Sequence, residues 1–146
     1  MIRLAPGAEG NGFAVMLSDL LRQNLSDKPH KRSSFNALSG VAAIVAEDAD
    51  VAITLRFSNG EVEVFDGIVG VPDMAIRGGT DEIFGLSNLP ITTRFALPIA
   101  SKNDAQGQEA SREFIKAIRE KRLVLYGALL HPFFALRLTR VMSING

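Results

Sequence analysis

The chain has 146 residues, with no cysteine, no tryptophan, one tyrosine, and 16 basic against 16 acidic side chains. That length suits one domain with a core of its own, and the missing thiols exclude disulfides, thiol nucleophiles and thiolate metal sites. The balanced charge gives no electrostatic footprint for a nucleic-acid partner.

The opening MIRLAPGAEGNG does not fit a secretory signal, because its apolar run is short and broken by Pro6, Gly7 and Glu9. FAVMLSDLLRQNL, residues 13–25, places Phe13, Met16, Leu17, Leu20, Leu21 and Leu25 at the spacing of one helix face. SDKPHKRSS then reads as a polar, basic loop stopped by Pro29, with Lys28, Lys31 and Arg32 free to meet an anionic headgroup. GVAAIVA, residues 40–46, is predicted as a strand.

VAITLRFSNGEVEVFDG carries the strongest local signal. Val51, Ile53, Leu55 and Phe57 alternate with Ala52, Thr54, Arg56 and Ser58, and Val62 and Val64 alternate with glutamates beyond Asn59-Gly60. Asn-Gly supplies the positive φ angles of a type I′ hairpin turn. One face of the hairpin is apolar and the other polar, so the sheet is expected to be antiparallel and covered on one side.

DGIVGVPD reads as a connector and DMAIRG as a short strand. Thr80 is the expected N-cap of a short helix, DEIFGLSN, with Asp81 and Glu82 in its first turn. ITTRFALPIA alternates again, and Pro98 within it points to an edge strand. SKNDAQGQ is a loop, and residues 109–121 form a helix with Ala110, Phe114, Ala117 and Ile118 on one face. RLVLY is a closing strand released by Gly127, and a last helix runs from Pro132 to Met142 with His131 at its start. The sum is one α+β domain over residues 1–146, a mainly antiparallel sheet with helices packed on its apolar face.

The charge is unevenly spread. Residues 47–82 hold nine acids against two arginines, and residues 112–140 hold seven basic side chains against two glutamates. Intramolecular complementarity accounts for this, or a basic face for an anionic lipid surface.

The last helix has two apolar surfaces. Val141, Phe134, Leu138, Met142 and Ala135 share an arc wide enough to dock on a sheet, while Phe133 and Leu136 fall on the side shared with Arg137 and Arg140. A broad core helix, a homodimer contact, or a wall over an apolar ligand each explain the second surface.

Three segments together resemble the sterol carrier protein 2-like domain family. ADVAITLRFSNGEVEVFDG is similar to its central strand pair. PDMAIRGGTDEIFGLSN is similar to its next element, an acid, a strand and a helix, here Asp73, Ile76, Phe84 and Leu86. KRLVLYGALLHPFFALRL is similar to its closing strand, glycine and apolar helix, here Leu123, Leu125, Gly127 and Phe133 through Leu138. The resemblance spans roughly residues 39–142, with the stretch 91–121 longer than the pattern needs.

What the resemblance implies is a five-stranded, mostly antiparallel sheet with helices on one face and an apolar tunnel between them. That tunnel would hold a sterol, fatty acid or fatty acyl-CoA, carried without catalysis by a cytoplasmic protein that needs no cofactor. The lining would be Phe57, Ile76, Phe84, Phe114, Ile118, Phe133, Phe134, Leu138 and Met142, with Tyr126 meeting a polar head. The expected partners are the lipid, an anionic membrane surface in passing, and a second copy through the last helix.

Catalytic chemistry has less support. His30 and His131 are 101 positions apart and neither sits in a nucleophile motif or a paired-ligand spacing. No phosphate-binding glycine pattern occurs. The rival activity is a small cavity isomerase using a buried aspartate with Tyr126.

Overall fold

The structure is a computed structural model, and it describes residues 1–91 and 102–145. The strand expected over ITTRFALPIA, with Pro98, lies outside the described residues, apart from Ile91.

Alternating patterns become strands in the expected places: β2 (Ser39–Ala46), β3 (Val51–Ser58), β4 (Val62–Asp66), β5 (Met74–Gly78) and β6 (Leu123–Tyr126). A further strand, β1 (Ile2–Leu4), pairs parallel with β4 through Ile2↔Val62 and Leu4↔Val64. The sheet order is β1-β4-β3-β2-β5-β6. β2–β3, β3–β4 and β5–β6 are antiparallel, while β1–β4 and β2–β5 are parallel. The five-stranded, mainly antiparallel sheet expected above is thus corrected to a mixed six-stranded sheet. The parallel pairs join segments far apart in sequence, which no hairpin signal announces.

The β3–β4 turn forms at Asn59 (φ 43°) and Gly60 (φ 96°), as the Asn-Gly pair requires. Ile53, Leu55 and Phe57 point to one face with Ala42, Ile44, Met74, Ile76 and Leu123, and all are buried. Against them pack α1 (Gly12–Asp27), through Phe13, Leu17 and Leu21, and α5 (Pro132–Met142), through Phe134, Leu138, Val141 and Met142. Asn11 caps α1, its Oδ1 accepting from the amides of Phe13 (3.0 Å) and Ala14 (3.3 Å).

The opposite sheet face is not left wholly to water. The connector from β4 to β5 crosses it, with Thr54 Oγ1 donating to the Gly67 carbonyl (2.8 Å) and accepting from the Val69 amide (2.9 Å). Thr54 is buried as a result. Arg56, further along the same face, lies 4.7 Å over the Phe65 ring.

Two short helices, α2 (Arg32–Asn36) and α3 (Thr80–Gly85), and a longer one, α4 (Ala105–Arg119), accompany α1 and α5. α2 lies in the stretch expected to be loop. Thr80 is the first residue of α3 rather than its cap. Asp48, on the β2–β3 turn, supplies the capping oxygen and accepts from both the Thr80 amide (2.8 Å) and its hydroxyl (2.7 Å). These bonds hold the Asp48 carboxyl below its ordinary pKa. Among the described residues no helix is long and apolar enough to cross a membrane.

Candidate functional site

Asp104 caps the start of α4, its Oδ1 accepting from the Gly107 amide (2.9 Å). Its helical spacing then presents Ala110, Glu113, Phe114 and Ala117 along one side. That side faces α3 and the start of β6 across a cleft of about 390 Å³. Phe114, Ala117 and Leu123 make an apolar floor, while Asp81, Glu82, Glu109 and Glu113 stand around the mouth.

Arg122 is the one basic side chain lining the cleft among the described residues. It is already engaged. Its Nε donates to Glu120 (2.9 Å) and its Nη1 to Glu82 (2.5 Å). The same bonds raise the arginine pKa further, Glu120 contributing most. Among the described residues the cleft therefore offers an apolar wall, three carboxylates with no ion-pair partner, and no spare cation. It can take the apolar body of a small molecule, and its electrostatics disfavour an anionic head.

The residues expected to line a tunnel are distributed over several places. Phe57, Ile76, Phe134, Leu138 and Met142 are buried together in the main core. Phe57 there sits between Phe35 and Phe134, with ring centroids 6.3 and 6.0 Å away in edge-to-face geometry. Phe84 is half-buried and meets Phe13 edge-on at 5.6 Å, away from the cleft floor. Phe114 lines the cleft. Ile118 is 41% exposed and Phe133 is 73% exposed.

Tyr126 is half in solvent and belongs to the strand positions of the far sheet face, where its phenol engages Arg77. His131 is exposed at the start of α5. Among the described residues no cluster of histidine and carboxylate side chains could hold a metal ion.

Sequence reasoning missed the acidic mouth of the cleft, although its members were in view. Glu109 and Glu113 recur at i, i+4, and Asp81 and Glu82 open α3; each pair suggests a solvated helix surface until the two helices are seen to face each other. It also missed Lys31. This side chain is fully buried, and its ammonium donates to the carbonyls of Ser143 and Asn145 (3.1 Å) just past the end of α5. Burial, then Lys28 and Arg140, lower its pKa to about 8. Asn24 completes this closure by donating to the Val141 (3.0 Å) and Met142 (2.8 Å) carbonyls. The unpaired carbonyls of a helix end are thus met by side chains from the N-terminal part of the chain.

No protein-family model matches the sequence, and no curated protein sequence is significantly similar to it. Several solved structures are similar to it, and two of them share its fold over most of the chain. One, described as "UbiJ-SCP2 Ubiquinone synthesis protein", superposes with a TM-score of 0.58 over 89% of this chain and 92% of its own, at 16% identity. The other, described as "Crystal structure of sterol carrier protein 2", gives 0.50 over 90% and 96%, at 14% identity. The fold is therefore that of a sterol carrier protein 2 domain, and the resemblance read from the three sequence segments holds at that level.

Proposed function

We propose that this protein binds and carries an apolar small molecule without transforming it, and that the cleft between α3, α4 and β6 receives that molecule. The observation that carries the reading is the apolar floor of Phe114, Ala117 and Leu123 beneath a cleft of about 390 Å³. That volume falls within the roughly 300–1,000 Å³ usual for small-molecule sites. A structurally similar protein is named a sterol carrier, which agrees with this reading. Removing apolar surface from water supplies the affinity, at roughly 25 cal/mol per Å². The buried set Phe57, Ile76, Phe134, Leu138 and Met142 would meet the ligand only if α5 and the sheet part to extend the cleft inward.

Among sterol, fatty acid and fatty acyl-CoA, the cleft mouth favours the sterol. A carboxylate or phosphate head would stand among Asp81, Glu82, Glu109 and Glu113, and the nearby guanidinium of Arg122 is already bonded to Glu82 and Glu120. A hydroxyl head meets no such repulsion and finds acceptors. The isomerase reading loses its geometry, because the phenol of Tyr126 belongs to the face opposite the helices.

Native mass spectrometry of freshly purified protein, followed by solvent extraction, tests the reading. The expected result is a stoichiometric neutral-lipid adduct, and added cholesterol binding more tightly than oleate or oleoyl-CoA. A protein that takes up none of the three is not a carrier of this kind.

A further inference from the structure

The β6–α5 joint carries a concentration of exposed apolar side chains that the cleft does not use. Leu129 is 96% exposed, Leu130 82% and Phe133 73%. Side chains this bare touch almost nothing of their own protein, yet their backbone is well held. The amides of Leu130 (3.1 Å) and His131 (2.9 Å) both donate to the Gly127 carbonyl. Gly127 itself packs so closely on the β5 entry that a Cβ there would lie 2.2 Å from the Asp73 carbonyl oxygen. The result is a fixed apolar prominence at one end of the sheet.

Charge on the joint and on α5 has one sign. No acidic side chain occurs in the sequence after Glu120. Arg137 and Arg140 follow Phe133 by four and seven residues, one and two turns along the same helix side, and Arg137 is exposed. α2, which packs against α5, contributes Arg32 alone. Asp73, on the sheet side against Gly127, has its Oδ2 accepting from the Val41 amide (2.8 Å). Three side chains offer on the order of 400 Å² of apolar area, about half of the roughly 800 Å² per partner that a stable protein interface buries. An apolar wedge with arginines one to two turns behind it instead matches a bilayer, with hydrocarbon at the tip and phosphates at the arginine level.

We infer that the Leu129–Phe133 joint is a membrane-contact element, inserting Leu129, Leu130 and Phe133 into an anionic phospholipid surface while Arg137 and Arg140 meet phosphate. The inference rests on the carrier reading, since it describes how such a protein would reach the membrane that holds its cargo. It moves the expected lipid contact away from the 28–32 stretch, where Lys31 is buried.

Because the chain has no tryptophan, Leu130→Trp gives a clean reporter. Its emission should shift to shorter wavelength with vesicles of phosphatidylcholine plus phosphatidylglycerol, and less with phosphatidylcholine alone. Met16→Trp, near the opposite end of the sheet, should not shift. The combined variant Leu129→Ser, Leu130→Ser, Phe133→Ser should lower vesicle co-sedimentation at least about tenfold. Arg137→Gln should lower it about fivefold, and only on the anionic vesicles.

No shift of Leu130→Trp overturns the inference, as does unchanged sedimentation of the triple variant. A wild-type dimer that the triple variant abolishes also overturns it, in favour of a second copy on this surface. Uptake of cholesterol delivered from cyclodextrin separates the two claims. It should be the same in wild type and triple variant, and its absence in both would sink the carrier reading while leaving the vesicle result to stand or fall by itself.

Discussion

At the scale of single residues, Lys31 sets a testable pH dependence. Its ammonium is bonded to two carbonyls but has lost its water, and the loss of water dominates, lowering its pKa from 10.5 to about 8. Below about pH 8 the lysine is protonated in both folded and unfolded chains, so this group adds no slope. Between about pH 8 and 10.5 the unfolded chain binds the proton and the folded one does not, so stability rises with pH through that window. The positively charged neighbours, Lys28 and Arg140, act in the same direction. Urea unfolding of wild type and Lys31→Met at about pH 7 and about pH 10 should show wild type gaining on the variant at the higher pH. A constant difference would mean that the lysine is solvated. Nothing local in DKPHKRSS reveals this role. The acceptors lie more than a hundred residues away, and a basic stretch beside a proline resembles a solvated loop in every periodicity test.

At the scale of elements, what was legible in the sequence follows the range of the signal. Asn59-Gly60 and its flanking alternation define β3 and β4, because hairpin register is settled by adjacent residues. The buried arc of α5 was equally readable from its spacing. The parallel strand β1 was not, since three residues carry no periodicity and the partner is sixty positions along. α3 was placed correctly but its cap was misassigned, because the acceptor comes from Asp48 on another turn. The joint between β6 and α5 shows both kinds of information at once. Gly127 was recognisable as a strand end; its contact with Asp73 was not. With φ at 76° and a Cβ position 2.2 Å from a backbone oxygen, Gly127→Ala must displace β5 from β6. The expected cost is about 2–4 kcal/mol, read as a fall in the urea midpoint, whereas Gly85→Ala, whose Cβ would meet nothing, should change the midpoint little.

At the scale of the whole molecule, opposite charges are set on different parts of one fold, and the two proposed encounters should respond to salt differently. Arg122–Glu82 is the ion pair that joins the acidic 47–82 stretch to the basic 112–140 stretch among the described residues, so most of this charge remains available to solvent and partners. Sterol uptake into an apolar-floored cleft depends on area removed from water and should change little with ionic strength. Vesicle contact through Arg137 and Arg140 should weaken as the screening length falls from about 10 Å at 0.1 M salt to about 3 Å at 1 M. The acidic mouth gives the converse handle. Glu109 and Glu113 are exposed, and Asp81 and Glu82 at the same mouth still offer acceptors to a hydroxyl, so Glu109→Lys with Glu113→Lys should change cholesterol affinity by less than about twofold. The pair reverses four units of charge beside the cleft, which should raise oleate affinity about tenfold at low salt, an effect of about 1.4 kcal/mol. That gain should fade at high salt. Equal gains for oleate and cholesterol would mean that the lysines act by opening the cleft, and an oleate affinity unmoved by the reversal would place the ligand's head somewhere other than this mouth.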